Sequence, residues 1–282
     1  MTRFARRLLP WCALYGGIFG LSVVMAANPA SGYFRIGESR LDVRHAIAVM
    51  VEPNDNPDDR QTLIYLSAQP LDAARAAAAF DADDGVREQE PDGGYVRICL
   101  DASGEDCGLF YSPEGFNSGG YGELALEAGD ARRVAGRYHL DQPEEFFGKD
   151  YQFDLRFDAP VTPAPGTALP AGGAAPGQAY NAYLAALAKG DLPALRAMAG
   201  DEGRWRYPED DATAAKEALK SARDGQPVVA EISRGRQHGD EAVLWVTGVD
   251  RDEIPRAGRV LMRKGPQGWV YEESDLDSVE EQ

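Results

Sequence analysis

Residues 151–158 read YQFDLRFD, and this stretch decides the fold class of the first half of the chain. Apolar side chains occupy every second position of the stretch, at Tyr151, Phe153, Leu155 and Phe157. Successive side chains of a β-strand point to opposite faces of a sheet. The alternation therefore predicts a strand with one buried face and one face in water.

Other stretches of the same kind precede this strand, and turn-forming residues separate them. They are LDVRHAIAVMV (41–51), TLIYLSA (62–68), YVRICL (95–100), YGELALEAG (121–129) and RRVAGRYHL (132–140). One helix is predicted at PLDAARAAAAF, where a proline stands near the start and alanines follow. We therefore expect residues 32–158 to form a mostly antiparallel β domain with one helix.

The composition changes at residues 159–177, APVTPAPGTALPAGGAAPG, which hold five prolines and four glycines. No charged residue occurs between Ala159 and Ala188. Such a composition is typical of an extended, partly stiff linker. The alternative is an ordered loop that packs on one of its neighbours. We expect a linker between two domains that a protease cuts first.

Beyond the expected linker, the apolar residues recur at helical spacing. Tyr180, Tyr183, Leu184 and Leu187 lie at i, i+3, i+4 and i+7, which is one face of a helix. A second helix follows the sequence KGD, and a third is expected near residues 210–224. The second half of the chain therefore begins with helices.

Strand-like stretches then follow, separated by hairpin signals in QHGDE and GPQG. They are PVVAEISRG, EAVLWVTGV, RVLMRK and GWVYEE. Helices followed by an antiparallel sheet predict an α+β domain over residues 178–275. Residues 276–282 are expected to form an acidic tail in solvent.

Three segments of this half resemble a known superfamily: AYNAYLAALAKGDLPALRAMA (179–199), VVAEISRGRQHGDEAVLWVTG (228–248) and VLMRKGPQGWVYEE (260–273). The likeness is to the cone-shaped fold of the nuclear transport factor two-like proteins, which include ketosteroid isomerase and scytalone dehydratase. It lies in the Tyr-x3-Leu spacing ahead of Gly-Asp and in the hairpin GPQGWVY. The first half, including EEFFGKDYQFDLRFDAP (144–160), resembles segments of uncharacterised secreted bacterial proteins, which implies no activity.

The resemblance implies a cone-shaped cavity in the second half. The isomerase-like members place a carboxylate base and a hydrogen-bond donor in such a cavity, and neither role matches a residue here. The candidates to line the cavity are aromatic: Tyr180, Tyr183, Trp205 and Tyr207. The alternative, which we favour, is that these side chains fill it.

Residues 1–26, MTRFARRLLPWCALYGGIFGLSVVMA, follow the pattern of a secretory signal peptide. Three arginines precede an uncharged run, and small residues follow it. We expect cleavage after Ala26 and a periplasmic or secreted protein. The alternative is an uncleaved anchor in the inner membrane. Cys12 lies inside the apolar run and not at the cleavage point, so no lipoprotein is expected.

Cys99 and Cys107 frame the segment ICLDASGEDC, residues 98–107. The residues between them favour a turn, and a strand–turn–strand loop brings two Cα atoms within the roughly 4.4–6.8 Å that a disulfide needs. The alternatives are free thiols, half of a metal site and a redox pair. A metal site lacks a second ligand pair, and a redox pair lacks Cys-x-x-Cys spacing. We predict a structural disulfide, which persists in an oxidising compartment.

The formal net charge of −17 argues against a nucleic-acid partner, because a phosphate backbone would be repelled. The chain has three histidines, His45, His139 and His238, and their spacing assembles no metal cluster. His139 alternates with Arg137 on a strand face that we expect to be wet, where Asp154 is its potential neighbour. The sequence lacks the hydrolase elbow, zinc-protease and phosphate-loop motifs. Neither a metal nor a cofactor is predicted.

Two acidic stretches were considered as calcium sites, at residues 52–59 and 81–94. The second begins like an EF-hand loop, but its glycine stands one position early and Asp92 occupies the twelfth position. Polar turns explain both stretches, so no calcium site is predicted.

These patterns favour an exported bacterial protein that is not an enzyme and that binds a protein or a small apolar ligand. One alternative is a small-molecule enzyme, an isomerase, dehydratase or hydrolase, that uses the cone cavity. An open cavity with perturbed carboxylates would favour it. A second alternative is a membrane-tethered accessory subunit that keeps residues 1–26 as its anchor. Contact with a membrane is expected only through that segment.

Overall fold

A computed structural model of the chain describes residues 29–52, 59–119, 122–200 and 205–279. The expected signal peptide lies outside these residues. Among the helices that are described, none has both the length and the apolar character needed to cross a bilayer. The fold is α+β with a strongly curled, antiparallel-rich sheet, as the sequence predicts.

The N-terminal sheet contains eleven strands of the described residues. They are β1 (Ala30–Ile36), β2 (Ser39–Asp42), β3 (His45–Val51), β4 (Gln61–Ser67), β5 (Tyr95–Leu100), β6 (Asp106–Tyr111), β7 (Phe116–Ser118), β8 (Glu123–Gly129), β9 (Arg133–His139), β10 (Glu144–Phe146) and β11 (Lys149–Thr162). Strand β11 holds the sheet together, because it pairs with β1, β3, β9 and β10. Its short pairing with β3 is parallel, and its other pairings are antiparallel.

The alternating pattern of YQFDLRFD is confirmed within β11. Its aromatic and leucine side chains are buried, while the residues between them are partly or fully exposed. Phe153 stacks on Phe34 of β1 and meets the Tyr138 ring of β9 edge to face, with ring centroids 6.0 and 4.9 Å apart. The buried face of β11 therefore forms the centre of the N-terminal hydrophobic core.

Strands β3, β4 and β5 depart from simple alternation because both of their faces are covered. One face contributes to the core beneath β11. Two short helices, α1 (Ala73–Ala78) and α2 (Ala82–Arg87), cover the other face. The sequence predicts a single helix here. Asp72 caps α1 and Asp81 caps α2, so each helix has its own start.

The C-terminal sheet has five strands among the described residues, in the order β12 (Thr167–Leu169), β13 (Val229–His238), β14 (Glu241–Val249), β15 (Pro255–Gly265) and β16 (Gly268–Ser278). Helices α3 (Ala174–Lys189), α4 (Leu192–Met198) and α5 (Ala212–Gly225) precede β13. The helical face predicted from Tyr180 and Leu187 is confirmed, because these residues are buried against the sheet.

Residues 159–177 differ from the expected extended linker. They contain the end of β11, the whole of β12 and the first turn of α3. β12 pairs with β13, and the Gly172 N–H donates to the Ile232 carbonyl at 2.8 Å. Ala159 and Val161 are buried, so the end of β11 packs into the N-terminal core. Strand pairing and packing thus order this segment, while the two separate domains that it was expected to link stay a prediction.

The acidic tail also begins later than expected. Strand β16 runs to Ser278, three residues past the predicted end of the sheet at residue 275. Leu276 packs against the C-terminal core, while the aspartates on either side of it stay exposed or partly exposed. This alternation is typical of a strand, but the many acidic residues around it made the segment look like a solvent-exposed tail in the sequence.

Candidate functional site

Three of the four aromatic residues predicted to line or fill a cone cavity lie together in the structure. Tyr180, Tyr183 and Tyr207 are fully buried in the C-terminal core. Trp205 is 87% exposed and belongs to the surface. A fourth tyrosine, Tyr271 of β16, joins the buried three, and the sequence analysis did not single it out. Its place in the hairpin GPQGWVY, opposite the helices, was the available signal.

The four tyrosines pack on one another. The rings of Tyr183 and Tyr271 are stacked with centroids 4.2 Å apart and an interplanar angle of 6°. Tyr180 lies roughly parallel to both, with centroids 6.5 and 6.4 Å away. The Arg206 guanidinium lies 5.7 Å from the Tyr271 ring centroid. Aromatic side chains therefore occupy the interior between α3 and the sheet.

Hydrogen bonds inside the cluster join the hydroxyl groups to one another and to Gln226 and Ser274, and the Arg206 guanidinium also interacts with Tyr271. The Tyr180 hydroxyl donates to Gln226 Oε1 at 2.6 Å, and Gln226 Nε2 donates to Ser274 Oγ at 2.6 Å. The hydroxyls of Tyr183 and Tyr207 lie 3.3 Å apart. Burial raises the pKa of Tyr180 and of Tyr183 well above the ordinary tyrosine value. These hydroxyls stay neutral, and the hydrogen bonds satisfy the polar groups that are buried in the core.

A cleft of about 420 Å³ opens on the surface beside this core, between α4 and the β15–β16 hairpin. Four charged residues contribute to its wall: Arg196, Arg263, Lys264 and Glu272. Gly200 allows Glu272 to approach closely, because a Cβ at that position would lie 2.3 Å from Glu272 Oε2.

The cleft carries an excess of positive charge in an acidic protein. Arg196 donates to the carbonyl oxygens of Tyr207 and Pro208, at 2.5 and 2.7 Å. Arg263 reaches one acid on each side, with Glu241 at 3.1 Å and Glu272 at 3.9 Å. Three cations share the cleft wall with Glu272, and Glu241 at its edge offsets part of the Arg263 charge, so a smaller positive excess remains. Such a site attracts anions.

The predicted disulfide is present. Cys99 of β5 and Cys107 of β6 are bonded, and their Cα atoms lie 5.0 Å apart. The two strands are antiparallel neighbours, and a bulge stands between Cys99 and Leu100 in their register. The bond therefore fixes the β5–β6 hairpin.

The three histidines lie apart in the sequence and in the fold. His45 begins β3, and His238 ends β13 in an exposed position. His139 ends β9 and stands directly opposite Asp154 of β11, its potential neighbour, but only 12% of its side chain is exposed, so the expected wet face is wrong. Arg137 forms two hydrogen bonds with the Asp154 carboxylate, at 2.8 and 2.9 Å. The acids nearest the His139 imidazole are Glu123 and Asp141.

Of the two acidic stretches, residues 53–58 lie outside the described residues. In residues 81–94, the Asp81 carboxylate accepts the Asp83 N–H as the cap of α2. Asp83 in turn forms an ion pair with Arg97 of β5. These carboxylates hold a helix in place, which agrees with the polar-turn interpretation.

No protein-family model matches this chain, and no curated protein and no solved structure matches it either.

Proposed function

We propose that this chain is an exported, non-enzymatic binding protein that takes small anionic ligands in the cleft between α4 and the β15–β16 hairpin. The observation that carries the proposal is the meeting of three cationic side chains, Arg196, Arg263 and Lys264, around about 420 Å³ of open volume. The chain as a whole has a formal net charge of −17, so the excess of cations in the cleft wall is opposite in sign to the charge of the whole protein.

The buried tyrosines support a binding role over an enzymatic one. Tyr183 and Tyr271 stack on each other and fill the interior between α3 and the sheet. Their hydroxyl groups are in contact with another tyrosine, an amide and a serine, and Tyr271 also interacts with the Arg206 guanidinium; none of these groups is a base at neutral pH. A small apolar ligand would have to displace these rings, whereas an anion needs only the surface cleft.

Two features support export. The N-terminal sequence follows the signal-peptide pattern. The disulfide between Cys99 and Cys107 is of the kind that persists outside the cytosol. Mass spectrometry of the protein from its native host tests this part of the proposal. Loss of residues 1–26 from a periplasmic or secreted fraction is expected, and an intact Met1 would contradict cleavage.

The cleft is tested by calorimetric titration of the tag-free protein with citrate and, separately, with inorganic phosphate at low ionic strength. We expect one citrate bound per chain, with an affinity that weakens as salt is added, because exposed charges are screened. The double variant R263Q/K264Q removes two of the three positive charges and should weaken citrate binding by about tenfold or more. Tenfold weaker binding corresponds to about 1.4 kcal/mol of binding free energy.

A matched control is available on α5. Lys216 and Lys220 are exposed, and the variant K216Q/K220Q removes the same charge as the cleft variant. It should bind citrate as the unchanged protein does. Absence of binding to the unchanged protein, or equal loss in both variants, would show that the cleft is not the site.

A further inference from the structure

We propose that Glu123, His139 and Asp141 form a binding site for a divalent transition-metal ion of the zinc class. His139 Nε2 lies 3.2 Å from Asp141 Oδ1 and 3.9 Å from Glu123 Oε2. One ligand atom from each of the three residues lies within 4.8 Å of the other two.

The backbone explains why these residues meet. Glu123 stands directly opposite His139 in the antiparallel pairing of β8 and β9. Asp141 follows His139 by two residues, just after β9 ends. Glu123 therefore comes from β8, His139 from β9, and Asp141 from the residues that follow β9. The pairing of the two strands fixes how far apart their backbones lie.

The distances suit a single ion. Zinc binds imidazole nitrogen and carboxylate oxygen at about 2.0–2.2 Å, so ligands of one ion stand roughly 3–4 Å apart. The two measured separations from His139 Nε2 fall in this range. Small rotations of Glu123 and Asp141, whose side chains are 74% and 80% exposed, can close the third separation.

The His139 imidazole is much less free than the two acids, because only 12% of its side chain is exposed. Its Nδ1 atom is buried and has no hydrogen-bond partner among the described residues. The nitrogen that faces the carboxylates is thus Nε2. The imidazole is thus mostly enclosed by the protein, while the two exposed carboxylates have room to change rotamer around a bound ion.

The charge and chemistry of the three ligands favour zinc-class ions over calcium or magnesium. Two carboxylates balance a divalent cation, and the nearby Arg137 is engaged by Asp154. Calcium and magnesium prefer sites made of oxygen ligands, whereas imidazole suits zinc, copper and nickel. Three protein ligands leave a coordination position for water.

The ion would also have a structural effect. In the described sheet β8 pairs with β9 and lies outside the main strand order. A metal held by Glu123 and Asp141 would join the start of β8 to the segment after β9. Binding to the folded state raises thermal stability by mass action, so the effect is measurable without any assay of activity.

The test is calorimetric titration of the tag-free full chain, first treated with a chelator and dialysed, with zinc chloride and separately with calcium chloride. We expect one zinc ion per chain at this site, a rise in Tm with zinc, and no comparable response to calcium. The variants E123Q and D141N, at exposed positions that tolerate substitution, should each weaken zinc binding by about tenfold or more, and H139A should abolish it.

The matched control is H238A, which removes a histidine that is exposed and belongs to another strand. It should bind zinc as the unchanged protein does. Circular dichroism of each variant without metal checks that the fold is retained. The proposal is overturned if the unchanged chain binds no zinc, if E123Q and D141N bind as well as it does, or if H238A loses binding equally.

Discussion

Arg236 Nη1 lies 3.3 Å from Glu52 Oε2, and this ion pair joins the C-terminal sheet to the N-terminal sheet. Arg234 adds a second contact to the same oxygen at 3.4 Å. Arg259 Nη1 donates to the Phe80 carbonyl at 3.0 Å, and its guanidinium lies over the Phe80 ring. The two halves therefore contact each other directly, and their division into two independent domains stays a prediction.

Replacement of Glu52 by glutamine tests the contact between the halves. Burial lowers the pKa of Arg236, and Glu52 opposes this effect by favouring the charged form. The variant removes the anion that the two guanidinium groups share, and we expect the loss of these charged contacts to cost about 1–3 kcal/mol. Limited proteolysis should cut residues 163–173 slowly in the unchanged protein and faster in E52Q.

The control for this prediction is D42N. Asp42 forms an exposed ion pair with Arg40, and exposed pairs contribute little to stability because solvent screens the two charges. D42N should leave both the unfolding free energy and the cleavage rate nearly unchanged. Rapid cleavage of residues 163–173 in the unchanged protein would instead support the extended linker that the composition predicts.

The disulfide gives a second prediction. Cys99 and Cys107 are separated by eight positions, and closure of so short a loop contributes about 2–3 kcal/mol in the chain-entropy model. The variant C99A/C107A should lose stability by this amount in urea denaturation and should stay folded. An unchanged denaturation midpoint in the variant would mean that the β5–β6 hairpin is fixed without the bond.

The filled tyrosine interior gives a third prediction. Truncation of Tyr183 to alanine removes a fully buried ring and should cost about 3–5 kcal/mol. Y183F keeps the ring and loses only the hydroxyl contact with Tyr207, so it should cost about 0.5–1.5 kcal/mol. Chemical denaturation measures both values.

A ligand probe distinguishes a filled interior from an open one. Benzene should raise the Tm of Y183A, because an apolar cavity of that kind accepts it. It should leave the Tm of the unchanged protein and of Y183F as they are. A clear rise in the Tm of the unchanged protein with benzene would show an open interior and would support the alternative that the protein is an enzyme.

Much of the fold follows from local pattern. YVRICL coincides with β5, and YQFDLRFD lies within β11, because alternation and strand composition agree there. The pattern failed where tertiary packing decides the outcome. Residues 167–169 look like linker in sequence, yet they pair with β13 as β12. Their backbone hydrogen bonds depend on a partner strand about seventy positions away, which no local window contains.

The candidate sites were predicted less well, for the same reason. Cys99 and Cys107 are close in sequence, so their pairing was predictable. Glu123 and His139 are neighbours only through the β8–β9 register. A bulge between Leu126 and Ala128 shifts that register, and the sequence does not reveal it. The cleft likewise combines α4 with a hairpin more than sixty residues later in the chain.

Asp250 gives a prediction on acid stability. Burial of its carboxyl raises the pKa, but the N–H groups of Ile254 and Asp252 and the Arg256 guanidinium all donate to it at 2.9 Å. These hydrogen bonds outweigh burial, and the pKa of Asp250 lies below its ordinary value. The unfolded chain has the ordinary aspartate pKa of about 3.9.

Because the folded pKa is lowered, the stability contributed by Asp250 is present above about pH 4 and is lost as the pH falls through the folded value. D250N should therefore be less stable than the unchanged protein at pH 7, and the difference should shrink below about pH 4. Urea denaturation at pH 7, 4 and 3 measures it. D252N, at an exposed neighbour, should show little difference at any of these pH values. If the difference in unfolding free energy between D250N and the unchanged protein stays constant down to pH 3, the hydrogen bonds stabilise the neutral carboxyl as well as the charged one.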